Sequence, residues 1–521
     1  MPRIDTPEKV NGSAKYSIDI VVPKMLFASV IHPPVIYAGI ESYDASKALA
    51  LKGVKDVFQI EHELFENWTA HTIAVVADSF YTAVKARKLV EITWDIKGYK
   101  NNSTPKHYES LKNAANKKGI RPTEIGNVDR ALKEAKQTLT AEYELPYLSH
   151  APMEPMNCVA DIKADSCEIW AGTQSPAGLQ QHVADHLKLE EKNVKIHVPY
   201  LGGGFGRRSF HDFVMEAVDI SKKVAAPIKL VWTREDDIRQ GPFRQGSVHS
   251  LKAGIDSSNN ISALIHKTVA PSITAQNGKI ADWHYKMILG GVHDSLYQFP
   301  NFVAEGIIEE TLVPIHWWRT VYHSTNPFAH ESFMDEMANA TSVDPLQFRM
   351  NLLKDDRLKA VLKLAATKAG WNKPLPEGAG RGIAAWFSFG TYCAQVAEVS
   401  RKPNGKLKLD RIVIAVDCGM NINPDTIKAQ MESSVIYALT AAIKDPITIE
   451  SGKVKQSNFH DYRMIRMNES PKIETYIINS NLPPGGIGEP GVAPLAPALG
   501  NAVFNATGER IRKLPFDLES V

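Results

Sequence analysis

The sequence predicts a multi-domain protein of the α+β (mixed α/β) class, in which short strands and helices alternate along the chain. Its 521 residues are enough for two or three domains that each bury a core. Apolar runs typical of strands are interspersed with segments whose apolar residues recur at helical spacing. A polar stretch rich in Lys, Asn and Ser, beginning near residue 98, separates a small first unit from the rest.

The changes in composition and periodicity divide the chain into four segments. We expect a small α/β unit at 1–97, a linker that runs over the surface at 98–138, and two larger mixed units at 139–375 and 376–521. The clearest predicted strands are at 26–31, 72–76, 158–162, 166–171, 228–232, 394–399 and 407–417. The clearest predicted helices are at 78–88, 178–187, 212–225, 327–339, 345–353, 426–440 and 493–513.

Composition and charge exclude several classes of function. The net charge of +2 argues against general attraction to nucleic acid or to an anionic membrane. The four cysteines include no Cys-x-x-Cys pair, so we expect no iron–sulfur cluster or structural zinc site built from this chain alone. No export signal and no run of 18 apolar residues is visible, which predicts no membrane span and a cytoplasmic location, or a periplasmic one if a partner carries the signal.

A glycine-rich segment, Leu201-Gly-Gly-Gly-Phe-Gly-Arg-Arg208, lies between a predicted strand and a predicted helix. Glycines allow a backbone to approach a ligand closely, and its amides can face an anion. Arg207 and Arg208 would add positive charge beside that anion. A tight turn with solvated arginines explains the same residues equally well. The segment is neither a Walker loop nor a Rossmann fingerprint, because no Gly-Lys-Ser/Thr follows and Arg207 stands where a third glycine is needed.

A second unusual segment, Pro483-Pro-Gly-Gly-Ile-Gly-Glu-Pro-Gly491, presents one carboxylate among glycines and prolines before a long helix. Pro490 fixes the backbone, and glycines such as Gly488 leave space around the side chain of Glu489. A rigidly held carboxylate with room around it suits a general base. The alternative is that Glu489 only places a negative charge near the N-terminus of a helix, where such a charge is favourable.

Two further polar residues are candidates for a site. Arg319 follows Trp317 and Trp318, and an arginine among aromatic rings can orient a carbonyl, a carboxylate or an oxyanion. An arginine stacked on tryptophan at the edge of a core is the alternative. Gln174, at the end of a predicted strand, can donate to a ligand oxygen or simply begin a helix.

Taken together and in order, these segments resemble the molybdenum hydroxylases of the xanthine oxidase superfamily. The resemblance is carried by Thr173-Gln174, Gly202-Gly-Gly-Phe-Gly206, Trp232-Thr-Arg-Glu-Asp236, Trp318-Arg319 and Gly488-Glu-Pro-Gly491. The branch it is most similar to is the large (beta) subunit of isoquinoline 1-oxidoreductase, with related bacterial aldehyde and nicotinate dehydrogenases. This resemblance implies a small hammerhead-like domain followed by two mixed-sheet molybdopterin-binding domains.

The resemblance also implies a cofactor and roles for the candidate residues. The cofactor would be molybdopterin, usually as the cytosine dinucleotide, with no protein ligand to the molybdenum. Glu489 would be the catalytic base, and Arg319 would lie on the substrate side. The cofactor-binding residues would be Gln174, Gly203, Gly204, Phe205, Gly206, Arg207 and Gly488.

Partners and substrate follow from the same resemblance. Electrons would leave through a separate 2Fe-2S small subunit or a cytochrome c. The substrate would be an aldehyde or an N-heteroaromatic compound and not a purine, because Ser209 stands where purine-specific members carry a glutamate. The Gly-x-Glu-Met-Gly-Gln-Gly segment of this branch is not found in the sequence. Residues 432–434 are Glu-Ser-Ser, where the branch has Glu-Gly-Gly. We therefore expect a second chain to supply the missing pterin-binding segment.

Two alternative functions stay open. One is a cofactor-free scaffold or an incomplete fragment of the same fold. The other, a nucleotide-dependent dehydrogenase or kinase, satisfies neither glycine fingerprint.

Overall fold

A computed structural model describes residues 3–65, 68–276 and 278–521. Within these ranges it contains five β-sheets, two of which are two-stranded, with helices packed against the larger ones. Parallel and antiparallel strand pairs occur together in each of the three larger sheets. The prediction of a mixed α/β protein with several sheets is therefore confirmed.

The first large sheet has seven strands and joins the beginning of the chain to its middle. Its strands, numbered along the chain, are β1 (Leu26–Ile31), β3 (Val54–Phe65), β4 (Trp68–Ala77), β8 (Asn157–Ile162), β9 (Cys167–Ala171), β10 (Val194–His197) and β11 (Ile228–Val231). They lie in the order β10-β9-β8-β11-β1-β4-β3. Because β1 pairs in parallel with β11, the predicted small unit at 1–97 shares a sheet with the unit that follows it.

The second large sheet has five strands. They are β6 (Ile120–Ile125), β7 (Gln137–Leu145), β12 (Ser247–Ile255), β13 (Ile261–Ala270) and β14 (Phe302–Ile308), in the order β6-β14-β13-β12-β7. The strand β6 lies in the segment predicted to be a surface linker, 98–138. That segment also forms helices α4 (Thr104–Ala115) and α5 (Val128–Glu134), so it is an ordered edge of this sheet.

The third large sheet carries the C-terminal part of the site. Its strands are β15 (Gly380–Ser388), β16 (Thr391–Arg401), β17 (Leu407–Asp417) and β20 (Lys472–Ile477). The small sheets are formed by β2 (Gly39–Asp44) with β5 (Glu91–Asp95), and by β18 (Ile449–Glu450) with β19 (Lys453–Val454).

The remaining helices cover the faces and ends of these sheets. They are α1 (Thr6–Asn11), α2 (Ser46–Leu49), α3 (Phe80–Arg87), α6 (Pro176–Leu187), α7 (Asp212–Val224), α8 (Arg234–Gln240), α9 (Asp282–Ile288), α10 (Asn326–Ala340), α11 (Pro345–Leu352), α12 (Asp356–Ala369), α13 (Pro424–Ile443) and α14 (Leu495–Thr507). Across the described ranges, none of them has both the length and the apolar character that a membrane span requires.

Close packing of α14 on the third sheet places the segment that precedes this helix. A Cβ atom at Gly382 would lie 2.2 Å from the backbone nitrogen of Ala502, and one at Gly380 would lie 2.2 Å from the carbonyl oxygen of the same residue. These two glycines therefore allow helix and strand to touch through their backbones. Gln395 of β16 donates a hydrogen bond to the carbonyl of Gly491 (2.6 Å), which fixes the N-terminal approach to α14.

Candidate functional site

The glycine-rich segment forms a turn that only glycine can make at its end. Gly203 and Gly206 have φ angles of 100° and 103°, in the left-handed region. A Cβ atom at Gly206 would lie 1.6 Å from the carbonyl oxygen of Trp317, which no rearrangement of a side chain could relieve. The turn therefore contacts the segment Trp317–Arg319 directly, through the backbone.

Glu154 holds the other end of this turn. Its carboxylate, which is buried, accepts hydrogen bonds from the backbone amides of Gly202 (2.7 Å) and Ile18 (2.9 Å) and from Arg208 (2.9 Å). The residues Ser149–Met156 that precede β8 thus position the turn.

Both arginines after the glycines point into the protein, which corrects the expectation of positive charge beside an anion. Arg207 is 1% exposed and makes a two-pronged ion pair with Asp212, with both N–O distances at 2.8 Å. Arg208 is fully buried and bonds to Glu154 and to the carbonyl of Gly203. Buried carboxylate partners neutralise both charges, and these partners could not be identified from the sequence.

Gln174 presents its amide NH2 group to the open side of the turn. Its Oε1 atom accepts a hydrogen bond from the backbone amide of Gly206 (3.0 Å), so the Nε2 atom points the other way. Among the described residues Nε2 has no hydrogen-bond partner, and the side chain is exposed. This arrangement leaves two donors available for a ligand.

Arg319 connects the turn to the segment that carries Glu489. Its backbone amide donates to the carbonyl of Phe205 (2.9 Å), and its side chain, 4% exposed, donates to the carbonyl of Gly488 (3.0 Å). Further bonds reach Gln430 and Ser433 of α13, both at 3.0 Å. The structure therefore brings together the predicted residues of both unusual segments.

An aromatic stack that the sequence did not reveal supports this junction. The ring of Tyr437 lies between Phe205 and Trp318, with centroid separations of 4.5 and 4.6 Å. The guanidinium of Arg319 lies 5.9 Å from the centroids of both Phe205 and Tyr437. Tyr437 faces this junction from the middle of α13, where its helical periodicity marks it as an ordinary core residue.

Glu489 is half-buried at the edge of the same junction. Burial raises the pKa of its carboxyl group above the ordinary value, while the backbone amide of Thr320 and the charge of Arg319 oppose the rise. The Thr320 hydroxyl donates to the carbonyl of Glu489 (3.2 Å), which fixes the backbone at this residue. A carboxylate with a raised pKa is a better proton acceptor, as a general base requires.

The profile of the molybdopterin cofactor-binding domain matches residues 110–353, and a second profile of the same description matches 329–471. An isoquinoline 1-oxidoreductase subunit beta from Brevundimonas diminuta is 30% identical over 541 residues, which covers 99% of this chain and 67% of that protein. A membrane-bound aldehyde dehydrogenase (pyrroloquinoline-quinone) from Gluconacetobacter polyoxogenes is 29% identical over 560 residues, with 98% and 70% covered.

The fold is similar to that of a solved enzyme. The structure of quinoline 2-oxidoreductase from Pseudomonas putida 86 superposes with a TM-score of 0.84, over 100% of this chain and 97% of that one. The sequences are 13% identical, so this likeness concerns the fold.

Proposed function

Because the chain belongs to the molybdopterin-binding large subunits of the molybdenum hydroxylase family, we propose that it hydroxylates an aldehyde or an N-heteroaromatic compound with oxygen from water. The observation that carries this proposal is the placement of Glu489. Its carboxyl group, with a raised pKa, lies on a segment that Arg319 joins to the glycine-rich turn. The names of the two relatives support the two substrate classes.

The residues around the turn fit a molybdopterin cofactor. A Cβ atom at Gly488 would meet nothing within 4 Å, so there is open space beside Glu489. The free amide donors of Gln174 lie at the turn Gly203–Gly206, and these residues would hold the cofactor. Arg207 would contribute only indirectly, because its bonds to Asp212 hold the base of the turn. When bound, the cofactor supplies the water-derived oxygen and takes up two electrons from the substrate.

Glu489 would remove the proton from the attacking oxygen. The raised pKa of its carboxyl group makes this transfer more favourable than it would be for an exposed glutamate. Arg319 would keep the carboxylate in place through Gly488 and would add positive charge to the junction where negative charge develops on the substrate.

Electrons would then leave through a partner, a 2Fe-2S subunit or a cytochrome c. The four cysteines of this chain are free and buried, at positions 158, 167, 393 and 418, and do not form the cluster site that this transfer needs. The cytosine dinucleotide form of the cofactor is proposed from the family resemblance.

The direct test is Glu489→Gln in the enzyme purified together with its partners. We expect turnover of aldehydes and N-heteroaromatics to fall by about 10²–10⁴-fold, while molybdenum content and thermal stability stay at wild-type values. The matched control is Glu509→Gln, which replaces an exposed carboxylate beyond α14 and should leave turnover unchanged. Wild-type turnover in Glu489→Gln would show that another group accepts the proton.

A further inference from the structure

A strained turn directly follows Arg319. Thr320 and Val321 have φ angles of 80° and 53°, in the left-handed region, although both side chains are branched at Cβ. Residues branched at Cβ are genuine outliers in this region and are strained there. The turn leads into a short 3-10 helix, Val321–Ser324, and His323 closes it with a backbone bond to the carbonyl of Thr320 (2.9 Å). The strained backbone therefore determines where His323 lies.

Trp386 determines which nitrogen of His323 carries the proton. The indole Nε1–H of Trp386 donates to Nδ1 of His323 at 2.9 Å, and an indole nitrogen can act only as a donor. The Nδ1 atom must therefore be unprotonated. Burial lowers the pKa of His323 to about 4, a smaller effect of Asp294 raises it and a smaller effect of His293 lowers it further, so the ring is neutral at pH 7. The single proton of the neutral ring is then on Nε2.

Within residues 3–65, 68–276 and 278–521, the Nε2–H group is a fixed donor without an acceptor. It makes no hydrogen bond to the described residues, and it is not among the polar atoms that are completely enclosed without a partner. The backbone of Gly290 lies beside this atom, since a Cβ atom there would be 3.5 Å from it, an ordinary contact distance.

An exposed aromatic ring lies beside the imidazole of His323, and the segment of Glu489 contacts residues Phe389 and Thr320. The ring of Phe389 is edge-on to His323 with a centroid separation of 5.4 Å, and the side chain is 43% exposed. The carbonyl of Phe389 accepts a hydrogen bond from the backbone amide of Gly486 (2.8 Å), three residues before Glu489. Thr320, at the start of the strained turn, bonds to the carbonyl of Glu489 itself (3.2 Å). His323 and Phe389 are thus linked through these hydrogen bonds to the segment that carries the proposed base.

We propose that the Nε2–H of His323 binds a hydrogen-bond acceptor of the substrate, an aromatic nitrogen or a carbonyl oxygen, and so directs the reacting carbon toward Glu489. This inference rests on the proposed function, since it assigns the substrate to the same site. Phe389 forms the wall on which a planar substrate packs. Trp386 is a positioning residue, because it acts only through the tautomer of His323.

The test compares two probes of the same shape, isoquinoline and naphthalene, that differ in one acceptor nitrogen. Their dissociation constants are measured by equilibrium dialysis with the holoenzyme and its partners, so turnover is not the readout. We expect the wild type to bind isoquinoline roughly five- to tenfold more tightly than naphthalene, the preference expected from one net hydrogen bond. His323→Phe should abolish that preference, and His323→Gln, which restores a donor, should regain part of it.

Two control variants show whether a lost preference for isoquinoline comes from His323 itself, and not from a change in the local structure or from loss of turnover. His293→Phe removes a neighbouring imidazole that makes no bond to Trp386 and should keep the wild-type preference. Glu489→Gln should also keep it while losing turnover, so loss of the preference and loss of turnover report different residues. The proposal would be overturned if His323→Phe still bound isoquinoline more tightly than naphthalene. It would also be overturned if His323→Phe lost affinity for both probes by the same factor and His323→Gln did not reverse that loss.

Discussion

Three segments of the chain touch at the site because some of its residues are glycines and others have buried side chains. Gly206 is the clearest example, because the carbonyl of Trp317 occupies the space that any side chain would need. Gly488 is the opposite case, since a Cβ atom added there would have no neighbour within 4 Å. The two glycines look alike in the sequence, and their different roles appear only when their neighbours are known.

This contrast gives a prediction at the residue scale. Gly206→Ala should destabilise the protein by at least about 2 kcal/mol, because it adds a backbone clash to an unfavourable φ angle. Its matched control, Gly488→Ala, should change the free energy of unfolding by less than about 0.5 kcal/mol. Denaturant titration of both variants measures this, and equal stability of the two would contradict the close approach of the turn to Trp317.

The sequence predicts the candidate residues better than their contacts. Gln174, Phe205, Arg319 and Glu489 are found around one junction, although 315 positions separate the first from the last. The inward direction of Arg207 was not predictable, because a pair of arginines after glycines is equally consistent with solvent, a ligand or a buried carboxylate. The donor role proposed for His323 depends on Trp386, which follows it by 63 positions.

At the scale of elements, long-range pairing explains the main error of the sequence-based interpretation. The strand β6 has mostly exposed or half-buried residues, so it lacks the apolar pattern of a core strand. It forms because β14, almost two hundred residues later, offers it a partner. The sequence predicts helices α7 and α13 within a few residues of their observed ends, and in α7 the apolar residues recur regularly on one face.

The ion pair between His32, the residue after β1, and Glu216 of α7 predicts a dependence of stability on pH. Burial alone would lower the pKa of His32, but Glu216, with a His32 Nε2–carboxylate distance of 2.6 Å, and Asp236 raise it to about 9. A raised pKa means that this ion pair contributes fully below pH 6.5, the ordinary value, and that its contribution is lost as the pH rises toward 9. The free energy of unfolding of the wild type should therefore fall across this range.

His32→Gln is the matched variant for this prediction. Glutamine can still donate to Glu216 but does not change charge, so its stability should depend less on pH between 6.5 and 9. The comparison requires denaturant titrations of both proteins at several pH values. Parallel curves for the two proteins would show that His32 does not bind an extra proton in the folded state.

At the scale of the whole molecule, the site lies where distant parts of the chain converge. The glycine-rich turn follows the first sheet, Arg319 lies between the second sheet and α10, and Glu489 precedes the helix that covers the third sheet. None of the three parts contains the proposed site alone. A resemblance spread over the whole chain therefore predicts this arrangement, whereas the periodicity of each segment does not.

The measurement that tests the central claim most directly is the molybdenum content per chain, by elemental analysis of the protein purified with its partners. The proposed function predicts about one molybdenum atom per chain in wild type and in Glu489→Gln, and much less in Gly206→Ala. Absence of molybdenum from well-folded wild-type protein in this complex would contradict the claim and would favour a scaffold of the same fold.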